Sequence, residues 1–89
     1  KHEVDLIATC VLDVLSDFKD SVSTQTLVDE CSQDGVSSPA TTNRKISLLK
    51  GKNFIDSKFI KDKRQILIKV SSIGMNYLKE WEKNNASCR

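Results

Sequence analysis

Apolar residues recur at helical spacing in four stretches of this chain and alternate with polar ones in a fifth. From Glu3 to Phe18, the residues Val4, Ile7, Ala8, Val11, Leu12, Leu15 and Phe18 fall at helical spacing, with Asp5, Asp13 and Asp17 interleaved. This predicts an amphipathic scaffold helix of about four turns. Val14 widens its apolar stripe beyond what one neighbour needs and offers a contact to a second subunit. Lys19 to Val22 reads as a short connection with room for a minimal strand at Val22. Ser23 or Thr24 then caps a second helix running to about Gln33, with Leu27, Val28 and Cys31 as its buried set. Asp34-Gly35 forces a turn, and Val36 is placed to tuck that turn into the core.

A third helix is marked at both ends. Ser38 is a good N-cap, and Pro39 suits the first helical position, where its missing N–H costs nothing. Thr42, Ile46 and Leu49 form a narrow apolar stripe, with Leu48 beside it as a second contact. The stop is expected at Asn53 rather than at Gly51, because Asn tolerates the left-handed conformation that ends helices. Phe54 to Ile60 and Gln65 to Val70 read as strands, the second alternating Ile66, Ile68 and Val70 with Leu67 and Lys69. Lys61-Asp62-Lys63-Arg64 is then a hairpin tip. Ser71 caps a final helix to about Lys83 or Asn84, with Ile73, Tyr77, Leu78 and Trp81 on one side.

The elements describe an α+β domain, mainly α, over residues 1–84, with 85–89 as a flexible tail. At 89 residues the chain affords one modest core, and its 29% of charged residues suits a folded rather than a disordered chain. No apolar run approaches the roughly 20 residues that span a membrane, and no signal peptide is visible, so a cytoplasmic protein is expected. Cys10, Cys31 and Cys88 form no CxxC pair and His2 is the one histidine. A zinc site and a disulfide framework are therefore not expected; Cys10 and Cys31 read as small core residues and Cys88 as a tail thiol. No cofactor is implied.

Charge changes the picture more. Residues 1–34 hold two Lys and eight Asp or Glu, net −6, whereas residues 44–69 hold nine Lys or Arg and two Asp, net +7. A solvated charged surface is the plain reading of such a run. Here the basic residues coincide with the third helix and the hairpin, as a phosphate backbone would require.

The spacing Ser38-x-x-Thr41-Thr42-x-Arg44-x-Ile46-x-x-Leu49-x-x-x-Asn53-Phe54-Ile55 resembles the recognition helix and following strand of winged helix-turn-helix regulators, most closely those of the multiple-antibiotic-resistance regulator (MarR) type. Those proteins usually have Gly where Asn53 stands. Val70-Ser71-Ser72-Ile73-Gly74-x-x-x-Leu78 resembles their strand-to-helix junction. The resemblance spans about residues 4–83 and implies a three-helix core, a two- to three-stranded β wing and a C-terminal helix. Family members pair through terminal helices, which implies a homodimer contact at Val14, Tyr77, Leu78 and Trp81; packing of the last helix on the first helix of its own chain is the alternative. Members usually carry longer terminal helices that also form a ligand pocket, and this chain is short of them.

The expected function is double-stranded DNA binding as a small transcriptional regulator, nucleoid-associated within the cytoplasm. Ala40, Thr41, Asn43, Arg44 and Ser47 would face bases or nearby phosphates in the major groove. Ser38, Lys45, Lys50 and Lys52 would position the backbone. Lys61, Lys63 and Arg64, in a wing over residues 58–65, would reach the minor groove or flanking phosphates, although Lys at a hairpin edge also blocks aggregation. The alternative is a protein-interaction module that docks on RNA polymerase or a replication protein through the acidic first two helices, Asp13 and Asp17 included. Asn43-Arg44 resembles a pair in domains that bind left-handed DNA, but Ser47 stands where those carry Tyr. Enzymatic chemistry finds no support: no nucleophile and base pair can be assembled around His2, and no Gly-rich phosphate loop is present.

Overall fold

A computed structural model describes residues 4–84. His2, the expected helix start at Glu3, and the expected tail 85–89 with Cys88 lie outside the described residues. The element order is α1 (Leu6–Ser16), β1 (Val22–Ser23), α2 (Thr24–Gln33), α3 (Pro39–Gly51), β2 (Ile55–Ile60), β3 (Gln65–Val70) and α4 (Ser72–Asn84). Four helices pack with a three-stranded antiparallel sheet of order β1-β3-β2.

Each helix start is set by a side chain three residues before the amide it receives. Asp5 accepts from the Ala8 N–H at 2.8 Å, Ser23 from Thr26 at 3.2 Å, Ser38 from Thr41 at 3.3 Å and Ser71 from Gly74 at 3.0 Å. Each such cap satisfies a donor the helix itself leaves open, a contribution of about 1 kcal/mol. The ends of α2 and α3 share one device. After α2, Gly35 turns left-handed (φ 71°), its N–H bonds the Ser32 carbonyl, and Val36 N–H reaches back to Cys31 at 2.9 Å. After α3, Asn53 (φ 65°) donates to Lys50 and Phe54 to Leu49, both at 3.0 Å. These are paired Schellman closures, and the second ends α3 where Asn53 was expected to end it.

The core differs from the expected one mainly at α1. A one-sided scaffold helix was predicted; instead every residue from Ala8 to Leu15 is buried, because α2, α3, α4 and β3 all pack around it. Ile7, expected inside, is exposed, and α1 is three turns long rather than four. In α2 the buried set is Leu27, Val28 and Cys31, and in α3 it is Thr42, Ile46 and Leu49, both as the spacing predicts. The sheet adds Ile55, Ile68 and Val70 to the same cluster.

Position α4 is fixed by a close approach. The Ser71 hydroxyl donates to the Asn53 carbonyl at 2.7 Å, and Ser71 N–H to the Phe54 carbonyl at 3.0 Å. A Cβ on Gly74 would lie 2.3 Å from that Phe54 oxygen, so only glycine lets α4 start here. Tyr77 then stacks on Phe54 (ring centroids 4.9 Å apart) and shares a hydrogen bond of 2.8 Å with the buried Thr9 hydroxyl of α1.

Among the described residues no helix is long and apolar enough to cross a membrane. Cys31 is a buried thiol, as expected. Cys10, also expected as a small core residue, is buried but disulfide-bonded, which corrects that reading of it. Disulfides are typical of oxidising compartments, which runs against the location expected from the sequence.

Candidate functional site

Helix α3 is held by one face and leaves the other outward. Thr42, Ile46 and Leu49 point into the core, and the one polar group among them is satisfied: Thr42 Oγ1 donates to the Ser38 carbonyl at 2.9 Å and bonds the Ser37 hydroxyl. With about 100° of rotation per residue, Ala40, Asn43, Arg44 and Ser47 fall in an arc of about 100° roughly opposite that face. All four are exposed. Thr41 is half-buried, and its hydroxyl accepts from Ser38 Oγ at 3.1 Å. Lys50 is half-buried and Lys52 exposed at the helix end, where cations suit the negative end of the dipole. Ser38 is exposed but serves as the cap.

Lys45 is placed differently from expectation. It lies on the flank of α3 that turns toward α1, and its Nζ sits 2.7 Å from Asp5 Oδ2. The ammonium therefore helps fasten the start of α1 to α3 instead of pointing out with Arg44. The bond from Lys45, joined by that from the Ala8 amide, holds the Asp5 carboxyl below its ordinary value near 3.8.

The hairpin carries the second group. Strands β2 and β3 pair from Ile55↔Val70 to Ile60↔Gln65, and β1 covers β3 only at Leu67 and Ile68. Beyond that point the ribbon runs out from the body, and Lys58, Lys61, Lys63 and Arg64 are all exposed. At the tip Arg64 adopts φ 49° and its N–H bonds the Lys61 carbonyl at 3.3 Å.

The residues expected to pair two subunits are used within the chain. Val14 is completely buried in the core, Leu78 and Trp81 are buried beneath α4, and Tyr77 is engaged with Thr9 and Phe54. Helix α4 thus packs on α1 of its own chain, as the alternative had it. Asp13, expected on an acidic docking face beside Asp17, is also buried and has a partner. The outward carboxylates of that region are Asp17, Asp20, Asp29 and Asp34. No group of three His, Cys, Asp or Glu side chains that could hold a metal occurs among the described residues.

Two exposed residues escaped the sequence reading. Phe59 and Ile66 face each other across the hairpin and are 60% and 47% exposed. The alternation of Ile66 with Ile68 and Val70 predicted a half-buried face, and no role was read for Phe59; the structure leaves this end of that face exposed. No known protein family matches this chain, and no curated protein matches it.

Proposed function

We propose that this chain is a winged helix-turn-helix protein of MarR-like type that binds double-stranded DNA as a small transcriptional regulator. In this reading α2 braces α3, α3 enters the major groove, and the β2–β3 hairpin is the wing. The observation that carries it is the outward face of α3: a capped helix, gripped by three buried residues, whose opposite arc presents Ala40, Asn43, Arg44 and Ser47. Those side chains suit base edges and phosphates and leave no apolar surface unsatisfied when nothing is bound. A helix of 13 residues is about 20 Å long and fits a groove about 12 Å wide. Arg44 is the principal base-reading residue, with Asn43 and Ser47 beside it. Lys50, Lys52, Lys61, Lys63 and Arg64 supply phosphate contacts, while Lys45 contributes through the Asp5 pair that orients α3. If two copies act together on a palindromic site, they pair through a surface other than Val14, Leu78 and Trp81.

Fluorescence anisotropy with random-sequence duplex DNA across a salt series tests the proposal. Log affinity should fall linearly with log salt, by about 0.9 per phosphate neutralised, and Arg44→Ala/Arg64→Ala should flatten the slope by about 1 to 2. If Arg44 makes a bidentate base contact, Arg44→Ala alone also costs about 1–3 kcal/mol at a selected site. Absence of binding at low salt overturns the proposal.

A further inference from the structure

Along the hairpin, one face continues the core-facing side of the sheet: Ile55 opposite Val70, Ser57 opposite Ile68, then Phe59 opposite Ile66. The first of these pairs is buried, and so is Ile68 of the second; Phe59 and Ile66, further along the same face, are 60% and 47% exposed. A directly opposed aromatic and β-branched pair would stabilise a ribbon, but that role does not need so much of both side chains left in water. The exposed pair is too small for a protein–protein interface and of a size to fit a narrow apolar slot.

The surroundings select its occupant. Lys58, Lys61, Lys63 and Arg64 flank the pair against the single carboxylate of Asp62, a local net charge of +3. A second copy of this hairpin would bring like charge against like. A partner that combines dense negative charge with flat apolar faces is nucleic acid, whose bases lie behind a phosphate wall.

We infer that Phe59 and Ile66 form an apolar wedge on the wing that lodges against a base step in the minor groove and partly unstacks it, bending the duplex beside the segment held by α3. The inference rests on the proposed DNA binding and adds a deformation to it. Side chains of this kind pay for unstacking by gaining protein contact along the bent duplex. The basic residues hold the phosphates on either side, so the wedge is pressed into the groove by the same charges that attract the wing. Flexible pyrimidine–purine steps, TA above all, are the ones it should enter.

The test uses the full chain and a duplex with 2-aminopurine in repeated TA steps, end-labelled for energy transfer. Binding of the native chain should raise 2-aminopurine fluorescence by about twofold or more and shorten the end-to-end distance. Phe59→Ser/Ile66→Ser, both at exposed positions, should bind with an unchanged salt slope yet leave fluorescence and distance at free-duplex values. Phe59→Leu should retain part of both signals. Binding by the native chain without either signal, or with signals that survive in the double variant, overturns the wedge and leaves the DNA-binding reading standing. No binding overturns both. Association with phosphatidylglycerol vesicles that is lost in the double variant, without a change in DNA shape, reassigns the pair to a membrane surface and likewise overturns the wedge.

Discussion

Replacing Gly74 with alanine isolates the contact that sets α4 on the rest of the fold. In an exposed helix interior this change stabilises by about 1 kcal/mol, because alanine is the better helix former. At Gly74 the new methyl carbon would lie 2.3 Å from the Phe54 carbonyl oxygen and 2.8 Å from Val70 Cγ1. A comfortable carbon–oxygen approach is about 3.3 Å, so backbone must move by about 1 Å. Overpacking of that kind costs about 1–3 kcal/mol. The displacement also loosens the Ser71 cap and its bond to the Asn53 carbonyl, for about 1 kcal/mol more. After the helix-propensity gain the net loss is about 1–3 kcal/mol, or roughly 4–24 °C in Tm for a domain of this size. Gly51→Ala is the matched control: it is also helical, meets nothing within 4 Å, and should gain up to about 1 kcal/mol. Urea unfolding followed by Trp81 fluorescence reads both, with a shift in midpoint at constant slope as the signature of stability alone. If Gly74→Ala matches or exceeds the native stability, the close approach at Phe54 does not constrain the fold and the reasoning fails.

The Asp5–Lys45 pair should give a specific pH dependence. Because the folded-state pKa of Asp5 lies below its ordinary value near 3.8, the carboxylate contributes stability above that value, and the contribution disappears as the pH falls through the depressed pKa. Asp5→Asn keeps a capping oxygen and removes the charge, so its deficit, about 0.3–1 kcal/mol at neutral pH for so exposed a carboxylate, should shrink in acid titrations of unfolding as the pH falls below the ordinary value near 3.8 and through the depressed pKa; a deficit independent of pH would contradict the assignment. At the hairpin tip, Arg64 occupies a left-handed conformation that favours glycine. Arg64→Gly should therefore hold or raise the melting temperature while Arg64→Ala, equally uncharged, does not, and equal melting temperatures would refute backbone strain there; both should weaken DNA binding alike.

Local chemistry wrote much of this structure into the sequence. Ser23, Ser38 and Ser71 as caps, Gly35 and Asn53 as left-handed closures, and Thr42, Ile46 and Leu49 as the inner stripe of α3 all act within a few residues of themselves. Their roles follow from hydrogen bonds and periodicity that no distant element can alter. The exposed arc of α3 was legible for the same reason, as the complement of a stripe. What only the tertiary structure decided depends on how many neighbours an element acquires. Helix α1 reads as one-sided, yet it is enclosed by three helices and a strand, which buries Val14 and Asp13 within the chain. Lys45 is one residue from Arg44, but 100° of helical rotation and the start of α1 forty residues away turn it inward. Phe59 and Ile66 share a sheet face with the pair Ile55 and Val70; their distance along the hairpin leaves the first pair half exposed and the second in the core. Cys10 bears a disulfide that its spacing did not announce, since pairing depends on which cysteines the finished fold brings together.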